Sequence, residues 1–151
     1  MRCRAALAVV LGLTLGACTK EEPRMPSACT DTDRAGYERA LASAPGAVRL
    51  PGGVAISTCA KRVRSDADLQ NLGAVLHGVA EDLAGRARGG DAAAARSLGY
   101  LSAAVAEGSG EYGIAAELSR RIATTGVGLR DGSAAVARAL DDGLAAGRAR
   151  G

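Results

Sequence analysis

A chain without a single phenylalanine or tryptophan cannot build its core around large flat rings. Its only aromatic residues are Tyr37, Tyr100 and Tyr112, 2% of 151 residues, although 48% of the chain is apolar. The core must come from Leu, Val, Ile and a great deal of Ala. Sandwiches and barrels lean on aromatic and β-branched side chains, so this inventory favours closely packed helices. The length fits one domain. Charged residues make up 23%, and the apolar ones recur at helical spacing, which argues against disorder. A net charge of +3 gives no electrostatic footprint for a nucleic-acid partner, and none is expected.

The periodicity predicts an all-α fold: a bundle of four to five short antiparallel helices within residues 30–151. The first helix is expected over about Asp33 to Ala44, capped by Thr30 or Thr32, with Tyr37 and Leu41 on one face and Pro45-Gly46 as its stop. Val48 to Ile56 alternate around Pro51-Gly52-Gly53 and predict a short hairpin or extended loop between the first two helices. The second helix is the clearest. Ser65 and Asp68 imitate a capping box, and Leu69, Leu72, Leu76, Val79 and Leu83 follow at spacings of three and four. A third runs from Asp91 with Ala94, Leu98, Leu101 and Val105. A fourth is expected to open at Ser109 with Ile114, Leu118 and Ile122, and a fifth at Ser133 with Val136, Leu140 and Leu144. Val127 and Leu129 are expected to pack in the connection between them. Short connections imply that consecutive helices run antiparallel. Gly143 and Gly147 form a Gly-x-x-x-Gly that permits close helix contact, although outside a membrane this is a weak signal.

The N-terminus reads differently. Arg2 and Arg4 form a short cationic segment, and Ala5 to Leu15 an apolar run of eleven residues. A bilayer span needs about twenty, so the proportions are those of an export signal. The run ends in Leu15-Gly16-Ala17-Cys18, which resembles the lipobox of bacterial lipoprotein precursors. The resemblance implies cleavage after Ala17 and acylation of Cys18, with diacylglycerol on the thiol and palmitate-type chains. It covers only the export segment. No characterised family is recognised for the mature domain.

On this reading residues 1–17 are a signal peptide, and residues 18–29 are the lipidated cysteine and a flexible tether carrying Pro23 and Pro26. Removing Arg2 and Arg4, but no acid, leaves seventeen basic residues against sixteen acidic ones. Cys3 departs with the signal and Cys18 is consumed. Cys29 and Cys59 remain, in a compartment where disulfides persist, and are expected to pair. Closing a loop of about thirty residues would stabilise the fold by roughly 3–4 kcal/mol.

Catalytic chemistry finds little support. His77 is the sole histidine, with Glu81 one turn later; a zinc site needs a third ligand, and the pair reads as an ordinary surface contact. No serine has a base other than His77, and no nucleophile-elbow pattern occurs. Asp31 with Asp33, and Glu107 with Glu111, bring carboxylates close together. They suit a loosely held cation or glycan cleavage, but sugar sites rely on aromatic platforms that this chain lacks. Ser109-Gly110-Glu111 and Asp131-Gly132-Ser133 read as helix caps, and Arg148 and Arg150 as a solvated helix end. Gly52-Gly53 leads into an extended run rather than a helix, so it is no phosphate loop. No cofactor, metal or catalytic residue is expected. The reading is a lipid-anchored helical lipoprotein on the extracytoplasmic side of the cell membrane, a non-catalytic binding or structural module of the envelope that engages an envelope protein. The alternative is an envelope enzyme, or an enzyme inhibitor, with an unidentified acidic site.

Overall fold

The computed structural model describes residues 24–151. The signal peptide, Cys18 and the first part of the tether lie outside the described residues. Among the described residues seven α-helices follow one another: α1 Ser27–Asp31, α2 Arg34–Leu41, α3 Ile56–Lys61, α4 Asp66–Arg88, α5 Ala92–Ser109, α6 Ile114–Thr125 and α7 Ala134–Arg150, with 3₁₀ turns at Pro51–Gly53 and Leu129–Asp131. No strand occurs among the described residues. The fold is all-α.

The count differs from the four to five expected, and the difference lies in α1 and α3. These helices have five and six residues, too short to carry a periodic apolar pattern. Each contributes one cysteine. Among the described residues the first helix starts at Ser27, ahead of residue 30, and its buried Cys29 is tied to the core. Between α2 and α3 the expected hairpin reduces to a single antiparallel bridge, Leu50 with Val54. It closes over Gly52 and Gly53, whose φ values of 71° and 78° suit a residue without Cβ.

Local signals explain most helix starts. Ser65 Oγ accepts from the Asp68 N–H at 3.1 Å, and the Ser65 N–H donates to Asp68 Oδ2 at 3.0 Å, the reciprocal box read from sequence. The Ser65 hydroxyl, donating to Asp68 at 2.8 Å, holds that carboxyl below the usual range. Asp91 caps α5 and Ser133 caps α7, as expected. Asp33, not Thr30 or Thr32, caps α2, accepting from Gly36 N–H at 2.8 Å. The Thr32 hydroxyl instead donates back to the Ala28 carbonyl at 2.6 Å.

The α4 seam is buried throughout, as are Tyr37 and Leu41. α5 is the axis of the molecule and packs against α2, α3, α4, α6 and α7. It buries Ala95, Tyr100, Ala103 and Ala104 besides its predicted seam of Ala94, Leu98, Leu101 and Val105, as a helix surrounded by neighbours must. Its closest partner is α7. A Cβ added at Gly143 would strike the Arg96 carbonyl, one at Gly147 the Tyr100 carbonyl, and one at Gly99 the Leu140 carbonyl. The Gly-x-x-x-Gly is thus a real contact, backbone against backbone. Because the partners climb together from Arg96 and Gly143 to Tyr100 and Gly147, α5 and α7 run parallel.

Two buried tyrosines lock the periphery. The Tyr37 hydroxyl donates to the Cys29 carbonyl at 2.9 Å. The Tyr100 hydroxyl donates to the Arg150 carbonyl at 3.0 Å and accepts from the Val48 N–H at 3.2 Å, joining α5, the loop before the Pro51 turn and the end of α7. The bonds of Tyr37 to Cys29 and of Tyr100 to Val48 are buried, so leaving a partner of either unpaired would cost about 1–3 kcal/mol.

Two expected core residues fail. Ile114 is 36% exposed and Val127 is 73% exposed, whereas Leu118, Ile122 and Leu129 are buried. Ile114 begins α6, one turn before the face that meets α4 and α5, and Val127 lies beyond its last residue.

Candidate functional site

Cys29 and Cys59 form a disulfide with Cα atoms 5.5 Å apart, and both residues are buried to 1% exposure or less. The bond joins α1 to α3 and closes the loop that holds α2. Cys18 lies outside the described residues. Among the described residues no helix is long and apolar enough to cross a membrane.

His77, read from sequence as half of a surface pair, is half-exposed on α4. Its Nε2 is 3.3 Å from Glu81 Oε1, with side chains 42% and 62% exposed. The other nitrogen, Nδ1, is buried without a hydrogen-bond partner among the described residues. No group of three or more His, Cys, Asp and Glu residues converges among the described residues, so no set of metal ligands accompanies the pair.

The acidic pairs part company. Asp31 and Asp33 line one open cleft of about 530 Å³, together with Arg39 and Arg49. Asp33 is committed to the start of α2, and the Arg49 guanidinium donates to the Val48 and Arg150 carbonyls at 2.8 and 3.0 Å. Glu107 lines a different cleft, of about 390 Å³, whose lining does not include Glu111. Arg150 is bound as well as solvated: its guanidinium donates to the Pro45 carbonyl at 2.7 Å.

The cleft beside Glu107 was not read from the sequence. Lys61 and Arg64, from the end of α3 and the turn after it, form one wall; Ser109, Gly110, Tyr112 and Ala115 form another. Ser109 does not cap a helix. It is the last residue of α5, and Gly113 occupies the N-cap position of α6 with no side chain closing that turn. Gly110 and Gly113 have φ values of 68° and 87°, so the connection needs glycine at both places. The available signal was a glycine-rich run, Gly108-Ser109-Gly110-Glu111-Tyr112-Gly113, leading directly into a helix.

No known protein family, characterised protein or solved structure matches the chain.

Proposed function

We propose that this protein is a lipid-anchored lipoprotein held on the extracytoplasmic side of the cell membrane, where its helical domain serves as a non-catalytic binding or structural module of the envelope. The observation that carries this reading is Leu15-Gly16-Ala17-Cys18 at the end of an eleven-residue apolar run. The buried Cys29–Cys59 disulfide supports it, because such bonds persist in oxidising compartments. On the same reading, α4 to α7 form an up-down-up-down bundle whose consecutive helices are antiparallel. Connections of residues 89–91, 110–113 and 126–133 and the parallel α5–α7 pair support that order. The test is metabolic labelling with a fatty acid, followed by crosslinking in intact cells. Acylation at Cys18 and one stoichiometric envelope partner are expected. An unacylated protein overturns the anchor, and turnover in a hydrolase screen overturns the non-catalytic role.

A further inference from the structure

We propose that the cleft between the end of α3 and the α5–α6 junction is a binding site for a phosphate group, carried by a phospholipid headgroup or by a free phosphate or phosphate ester. Several independent features converge there. The first turn of α6 opens on the cleft through Ala115, and a helix start presents N–H groups and partial positive charge. No side chain caps that turn, and Glu117, its one acid, is held by Arg120 and Arg121 at 2.7 and 2.9 Å. Lys61 and Arg64 line the same space, and their side chains make no ion pair among the described residues. Glu107 offsets one of these two cations.

Ser109 supplies the observation that points to a ligand. It is 8% exposed, lines the cleft, and its hydroxyl has no hydrogen-bond partner among the described residues. A buried hydroxyl without a protein partner is costly, and an oxygen ligand reaching it from the cleft would relieve that cost. An oxyanion would accept from the hydroxyl once it turns, from the helix start, and from both cations. Tyr112, 87% exposed on the rim, is of the type found at headgroup level in membrane interfaces. The site stands whether or not Cys18 is acylated.

The experiment follows backbone amide shifts in the full-length chain carrying Cys18→Ser, so that no acyl chain confuses the result. Inorganic phosphate should shift Gly110, Gly113 and Ile114 saturably in the millimolar range, and chloride at matched ionic strength should not. Lys61→Ala with Arg64→Ala should weaken binding at least about tenfold. Ser109→Ala should weaken it severalfold while leaving the melting temperature unchanged or raised, since it deletes an unpaired group; a purely structural serine would leave phosphate binding unmoved. Phosphatidylglycerol vesicles that bind the chain and are displaced by phosphate identify a lipid headgroup as the source. Phosphate binding without vesicle binding identifies a free phosphate or ester. No saturable shift with phosphate, or one that survives the double substitution, overturns the proposal, even if vesicles adhere.

Discussion

Two glycine-to-alanine changes, both inside helices, should move stability in opposite directions. At Gly85 in α4 an added Cβ meets nothing within 4 Å among the described residues. Alanine there gains only the helix propensity, about 1 kcal/mol. At Gly143 in α7 the same methyl would meet the Arg96 carbonyl oxygen, with the Arg96 carbonyl carbon at 2.8 Å and the Tyr100 nitrogen at 2.9 Å. These are backbone atoms of α5 and cannot rotate away. The two helices must separate along a seam that Gly99 and Gly147 also keep close. Overpacking of this kind costs about 1–3 kcal/mol and occasionally more, and the propensity gain offsets only part of the upper range. The separation also loosens the Tyr100 bonds to Val48 and Arg150, which adds to the cost. The net expectation for Gly143→Ala is a loss of roughly 1–3 kcal/mol, or about 3–10 °C in melting temperature for a domain of this size. Gly85→Ala should gain about 3 °C. Thermal unfolding followed by circular dichroism measures both. If Gly143→Ala melts at or above the wild type, α5 and α7 are not in backbone contact and the parallel register is wrong.

Mass spectrometry of the protein purified from membranes should find Cys18 as the acylated N-terminus, and Cys18→Ala should abolish fatty-acid labelling; an intact Met1 would refute the lipobox reading. Cys29→Ser with Cys59→Ser should lower stability by about 3–4 kcal/mol in denaturant titration, and unchanged stability would show that the bond constrains nothing. Leu76→Asp buries an unpaired carboxylate in the α4 seam and should cost several kcal/mol, a large share of the roughly 5–15 kcal/mol of a whole domain. His77→Ala should stay within about 0.5 kcal/mol of wild type; equal losses would mean that the Nδ1 side of the ring carries packing. Burial pushes the Tyr37 phenol well above its ordinary value. Its contribution is therefore fully present below about pH 10 and lost as pH rises towards the folded value. The wild type should lose stability in that alkaline window, and Tyr37→Phe should flatten the loss in a pH-resolved unfolding series.

What the sequence made legible was set by the length of each pattern. The α4 seam repeats over several turns and its capping box is local, so both could be read from residue types alone. Tyr37 and Leu41 needed only one turn. α1 and α3, of five and six residues, are too short to repeat an apolar pattern, and what holds them is a disulfide between residues thirty apart in sequence. The cysteines were legible. The helices that carry them were not. Ile114 misled because four-residue spacing says which side of a helix a residue occupies but not how far along it the neighbouring helices reach.

Gly143 and Gly147 show the same limit from the other side. Their spacing gives a face, yet whether another backbone lies against it depends on α5, more than forty residues earlier. The same gap hid the cleft at the α5–α6 junction. Ser109 looked like a cap because serine before a helix usually is one. Gly110 and Gly113, with their positive φ values, extend the turn, so α5 keeps Ser109 and α6 starts without a capping side chain. Lys61 and Arg64 come to the cleft because Gly108 admits α3: a Cβ there would collide with the Ser57 carbonyl. Gly108 is therefore what brings the two cations within reach of the uncapped turn. Replacing it with alanine should disturb α3 and the cleft together, whereas alanine at Ser109 should touch the cleft alone.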